Sequence, residues 1–172
     1  MLEGILKGLE QPEYVHVLLN PLPVYGLAIG LVGLIVGLAL RSRAARCSAL
    51  FIILIASASA WPVSEYGQQG FDRVKGMSDS DGEKWLEEHM RRAEELVYAF
   101  YALAALALVS IGAEWKRSRV GLPPFIVTLV LTLICLGIGG YIAYAGGHIR
   151  HKEFRFEPAP KPSAEQPQPH EH

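Results

Sequence analysis

The run DGEKWLEEHMRRAEELVYAFYALAALALVSIGAEW, Asp81 to Trp115, decides how the rest of the chain is read. Its first part carries Glu83, Lys84, Glu87, Glu88, Arg91, Arg92, Glu94 and Glu95, whereas Leu96 to Ala113 carries no charge and is nearly all apolar. Wound at about 100° per residue, the run places Trp85, Leu86, His89, Ala93, Leu96, Phe100, Leu103 and Ala107 along one side. Lys84, Glu87, Arg91, Glu94 and Glu95 fall on the far side. The pattern predicts one long helix that starts outside a membrane and continues into it. His89 then sits within an apolar stripe leading from the surface into lipid.

Working outward, three more apolar runs flank this one. The 172 residues are 51% apolar with a formal net charge of -1, and the charge is confined to short segments between the runs. A stretch of about 20 apolar residues crosses the hydrocarbon core, and four such stretches do not fit a soluble domain of this size. The expected fold is all-α, an integral membrane four-helix bundle with spans at about 15–40, 47–66, 94–115 and 122–145, the third helix extending outside the membrane. Residues 1–14 space Leu2, Ile5, Leu6 and Leu9 as an amphipathic interfacial helix that Pro12 ends. No A-x-A site follows a short apolar stretch near the N-terminus, so the first span is expected to stay in place. Residues 15–156 make up the membrane domain, and the Pro-rich tail 157–172 reads as disordered.

Within the spans, Asn20-Pro21-Leu22-Pro23 predicts a kink near the surface. Gly26, Gly30, Gly33 and Gly37 make a smooth face that suits close helix packing, within the chain or against a membrane complex or a second copy. Gly67 to Ser80 is the longest polar connection, with N-cap candidates in Ser78, Asp79, Ser80 and Asp81. Gly146 and Gly147 are expected to break or reshape the fourth span. Arg41, Arg43 and Arg46 occupy the first loop, and Lys116, Arg117 and Arg119 the third. The positive-inside rule therefore puts both loops in the cytoplasm and both termini outside, N-out/C-out. Cys47 and Cys135 lie at different depths and read as packing residues rather than a disulfide.

The outer ends of the spans collect His16, His89, His148 and His151, with Glu65 and Tyr66 closing the second span at the same level. The fourth span, wound the same way, puts Gly137, Tyr141, Tyr144 and His148 on one side. Imidazoles on facing helices of a four-helix bundle hold haem b well, with His16, His89 and His148 as candidate ligands. The same His16, His89 and His148, with Glu65 as an oxygen donor, also suit a single Zn or Cu ion. A proton-linked polar cluster is a third reading, since His titrates near neutrality. Interfacial histidines that only hydrogen-bond are a fourth. His151, in a run with Arg150 and Lys152, reads as solvated. Arg92 flanks the stripe as a partner for Glu65, for a haem propionate or for headgroups.

Several function classes find no support. There is no C-x-x-C-H for covalent haem, no nucleophile motif, no phosphate loop and no nucleic-acid motif. The spans lack the mid-membrane carboxylate of a proton pump. A stand-alone enzyme is the reading with least support. A redox module, an accessory subunit of a membrane complex and a metal-binding or sensing module stay open.

Three short runs, Ser59-Ala60-Trp61-Pro62-Val63-Ser64-Glu65-Tyr66, Trp85-Leu86-x-x-His89 leading to Arg92-Ala93-Glu94, and Gly139 to Gly147, carry a likeness. Over about residues 14–152 the chain resembles a family of bacterial four-span membrane proteins known only as a domain of unknown function. Its members often carry a His near the start of the first span, followed at once by Pro. Here Pro21 comes five residues after His16. The resemblance implies a bacterial inner-membrane location and a span count, together with a haem role suggested by the histidines, and no settled reaction.

Overall fold

Three prolines, Pro21, Pro23 and Pro62, interrupt two neighbouring helices, and the bends there separate an apolar layer from a histidine-bearing one. The computed structural model describes residues 2–116 and 122–161, and among them the chain forms helices and no strand. Arg117 and Arg119 of the basic third loop, and the tail from 162 with His170 and His172, lie outside the described residues. A short helix α1 (Leu2–Leu9) leads into α2 (Pro12–Leu19) and α3 (Pro21–Ala39). Pro21 and Pro23 remove two amide donors from what is otherwise one continuous helix, and the chain turns at Asn20 between α2 and α3. The second apolar run is divided in the same way, into α4 (Arg43–Ala58) and α5 (Ala60–Gly76). Pro62 cannot donate to the carbonyl of Ala58 and its ring crowds that group, so the interruption falls at Ser59.

Above the bends α2 packs on α5; below them α3 packs on α4. The 36-residue helix α6 (Ser80–Trp115) touches both α4 and α5 and so runs through both layers. Helix α7 (Leu122–Arg150) packs on α6 and α3, and a 3-10 turn at Lys152–Phe154 follows it. In the apolar layer α3, α4, α6 and α7 close a four-helix ring around Leu27, Leu34, Leu50, Ile53, Phe100 and Leu103. One buried cross-helix polar contact joins the hydroxyls of Ser110 and Thr128 at 3.0 Å.

The glycine face of α3 is taken up inside the chain, against α4. A Cβ at Gly30 would lie 2.5 Å from Cγ1 of Ile53, and one at Gly26 2.7 Å from Cβ of Ala56. The face set aside above for a membrane complex or a second copy is thus covered by the chain's own α4. The turn from α3 to α4 is short because Ser42 N–H returns to the Gly37 carbonyl and Arg41 N–H to Leu38, with Arg41 held at φ 51°. Inside that corner Glu114 pairs with Arg46, and with Arg43 at 3.7 Å.

Some local expectations change. The polar connection anticipated from Gly67 to Ser80 is helical as far as Gly76, leaving Met77–Asp79 between α5 and α6. Phe71 and Val74 pack against the Trp85–Leu86 cluster, and Arg73 and Lys75 pair with Glu13 and Glu87, so this polar stretch gains enough contacts to stay wound. Gly146 and Gly147 do not break α7, which continues to Arg150. A glycine costs a helix about 1 kcal/mol, and at Gly146 the close approach of His89 offsets it. At the front of the tail, Ala159 packs against the Trp85–Leu86 cluster, so residues 157–161 lie along the bundle.

The outside of the apolar layer is apolar as well. Tyr25, Ile29, Val32, Ile55, Leu108 and Val127 are all exposed, Ile29 at 62%. A belt of that kind far exceeds what a soluble monomer leaves in water. Four helices, Pro12–Ala39, Arg43–Gly76, Ser80–Trp115 and Pro124–Arg150, are long and apolar enough to cross a membrane.

Candidate functional site

Two of the sequence-predicted histidines meet in the upper layer. The rings of His16 on α2 and His89 on α6 have centroids 6.2 Å apart and planes crossed at 86°. Each is held in the same manner. His16 Nδ1 lies 2.8 Å from the carbonyl oxygen of Val63, and His89 Nδ1 lies 3.0 Å from that of Ile142. A carbonyl only accepts, so each Nδ1 carries a proton and donates it, and each Nε2 is the ring nitrogen outside that bond.

The receiving helices are prepared alike. Within a helix the carbonyl of residue i is covered by the amide of residue i+4. Four residues after Val63 stands Gly67, and four after Ile142 stands Gly146. A Cβ at Gly67 would lie 2.9 Å from His16 Nδ1, and one at Gly146 3.1 Å from His89 Nδ1. Each glycine therefore bares one helix carbonyl and makes the recess into which an imidazole edge fits. Neither glycine was assigned this role by pattern, because a glycine four residues after the acceptor carries no signal until the partner helix is in place.

His148 is buried but does not join this pair. Its Nδ1 donates within its own helix, to the Tyr144 carbonyl one turn back, at 2.7 Å. Its ring packs in a three-ring cluster with Trp85 and Tyr144, whose centroids are each 4.4 Å away and 6.0 Å from one another. Trp85 Nε1 and His148 Nε2 are both buried without a hydrogen-bond partner. Glu65 is also elsewhere: it accepts from Gln69 and faces a groove between α5 and α6. Tyr141 and Tyr144 are exposed on α7, whose inward line runs through Gly139, Ala145 and Ile149. His151 is exposed and pairs with Glu153 at 2.9 Å.

Arg92 was expected to face headgroups, Glu65 or a propionate. It is buried, and its guanidinium lies 3.8 Å from the Tyr141 ring centre. It donates to Glu88 at 2.7 Å and to the Tyr141 carbonyl at 2.8 Å. Together Arg92 and His89, three residues apart on α6, grip the successive carbonyls of Tyr141 and Ile142 on α7.

The upper rim is locked by Asp79. Its carboxylate caps α6 through Gly82 N–H at 2.9 Å and receives both Nη atoms of Arg155, at 2.9 and 3.0 Å. Lys152 adds a contact at 2.9 Å. Arg155 also donates to the carbonyls of His148 and Ile149 at the end of α7. These donors hold the Asp79 carboxyl well below the usual carboxylate range, Arg155 contributing most.

Chemically, the His16–His89 pair offers two imidazole Nε2 atoms from different helices. Among the described residues no group of three or more His, Cys, Asp or Glu side chains is assembled to hold a metal ion. Comparison with protein-family models, with curated proteins and with solved structures finds no match to this chain.

Proposed function

We propose that this chain is an integral protein of a bacterial inner membrane that holds a b-type haem between His16 and His89 and works as an electron-transfer module. The observation that carries the reading is the pairing of the two rings. His16 and His89, on facing helices, would hold the haem iron through their Nε2 atoms. The pair stands at 6.2 Å, with each Nδ1 already committed to a main-chain carbonyl. Such a bond fixes the ring and raises the basicity of the other nitrogen, as is usual behind a metal-bound His. Two histidines are the set of side chains that a b-type haem would take from this chain.

Bound haem supplies an iron that takes up and returns one electron. The chain's own residues do the rest. Val63 and Ile142 orient the imidazoles, while Gly67 and Gly146 set how closely they approach α5 and α7. Arg92, held by Glu88, keeps a positive charge beside His89. The exposed apolar belt supports the membrane setting, and the arginines of the first loop support N-out/C-out topology, which puts the histidine layer and the upper part of α6 on the outer side.

The test is the haem-to-protein ratio after purification from haem-producing cells. The wild-type chain is expected to carry about one haem, His16→Ala and His89→Ala to carry almost none, and His148→Ala to keep it. Unchanged content in either of the first two variants would defeat the ligand assignment.

A further inference from the structure

We propose that the groove between α5 and α6 is a binding site for the ammonium headgroup of a membrane lipid. This site is separate from the histidine pair and does not depend on the haem reading. The groove encloses about 410 Å³ and is walled by Trp61, Glu65 and Gln68 on α5 and by Glu94, Tyr98 and Tyr101 on α6.

Its charge is unbalanced. Glu87, Glu88 and Glu95 on α6 each meet a Lys or Arg. Glu65 and Glu94 meet none among the described residues; they accept only from the side-chain amides of Gln69, at 2.8 Å, and Gln68, at 3.4 Å. Two carboxylates share one concavity with no cation in it. The remaining wall is aromatic, and the Tyr98 and Tyr101 rings stand edge to face at 6.0 Å. Trp61 is 64% exposed and Tyr98 70%. Ring faces and carboxylates together favour an organic cation, and an ammonium is attracted by both.

The depth selects a lipid. Glu94 and Glu95 are the last charges of α6 before its apolar half, and Glu65 is the first charge of α5 after the apolar run of α4. The groove thus lies at the polar–apolar boundary of both helices, the level at which Trp and Tyr meet headgroups. Below the carboxylates Val97 and Tyr101 continue the wall toward the apolar layer, along the path an acyl chain would take. An anionic headgroup meets two negative charges here and is disfavoured.

The full-length protein, reconstituted in nanodiscs of equal phosphatidylethanolamine and phosphatidylglycerol, is then released and weighed with its retained lipid by native mass spectrometry. Retained phosphatidylethanolamine is expected to exceed phosphatidylglycerol several-fold. Glu65→Gln combined with Glu94→Gln should bring the ratio to that of the disc, while Glu83→Gln, outside the groove, leaves the enrichment in place. Tyr98→Ala, which keeps both carboxylates and alters only an exposed ring, should weaken it. Equal retention of the two lipids, or enrichment that survives the double substitution, overturns the proposal. Displacement by water-soluble glycerophosphoethanolamine at a concentration equal to the lipid's would overturn the lipid as occupant.

Discussion

At the scale of single residues, the site depends as much on two missing side chains as on two imidazoles. Gly67 and Gly146 stand where a methyl group would press on the Nδ1 edge of His16 and His89. Alanine at either position is expected to push the ring off its carbonyl while leaving the helix intact, since Ala is the better helix former. Losing the carbonyl bond behind a ligand weakens metal sites by about 10–100-fold, and that is the loss of haem affinity expected for Gly67→Ala or Gly146→Ala, read by haem titration with circular dichroism as the fold control. Haem affinity unchanged in both variants would show that the recesses do not position the rings. The histidines themselves were legible in sequence because imidazoles at helix ends stand out against apolar runs. Their pairing was not. His148 is the same residue type at the same level, yet it packs in a cluster with Trp85 and Tyr144 and donates to a carbonyl of its own helix.

At the scale of elements, periodicity found the long helix and most of its buried line: Trp85, Leu86, Phe100, Leu103 and Ala107 are all buried. It failed on α7, where five glycines in the stretch from Gly137 to Gly147 flatten the contrast between faces: His148 is buried, whereas Tyr141 and Tyr144 stay about half exposed beside Arg92 and His148. Hydropathy likewise ended the second span at Tyr66, because the polar surface of α5 hides contacts made only once α2 and α6 are beside it. The N-terminus of α6 and the C-terminus of α7 are joined by Asp79 and Arg155, and this junction makes a prediction about pH. The folded-state pKa of Asp79 is depressed below its unfolded value of about 4, so its stabilisation is present above that value and is lost as pH falls through the folded pKa. The midpoint of thermal unfolding in detergent should therefore drop as the buffer is taken below about pH 4. Asp79→Asn should be less stable than wild type at neutral pH and show a smaller drop. An identical acid profile for the two proteins would remove Asp79 from the account.

At the scale of the whole molecule, the bends at Asn20 and Ser59 let one bundle serve two tasks. Below them four helices pack tightly on small residues inside an exposed apolar belt; above them α2 packs on α5, and α5 on α6, which brings a second histidine to α6. The topology proposed from the arginine loops puts that upper layer outside the cytoplasm. With Cys47 and Cys135 replaced by Ala, a cysteine introduced as Glu3→Cys or Lys161→Cys should react with a membrane-impermeant maleimide in intact spheroplasts, and Arg43→Cys should react only after lysis. The reverse pattern would invert the protein. The most direct measurement of the central claim is spectroscopic: optical spectra of the detergent-purified, full-length protein, oxidised and dithionite-reduced, together with the ferric electron paramagnetic resonance signal. A Soret band, sharp reduced α and β bands and a strongly anisotropic low-spin ferric signal, as near-perpendicular imidazole planes produce, are the results expected from rings crossed at 86°. A protein from haem-replete cells with a featureless visible spectrum, unchanged on adding haemin, would contradict the account and leave His16 and His89 as a hydrogen-bonded joint between helices.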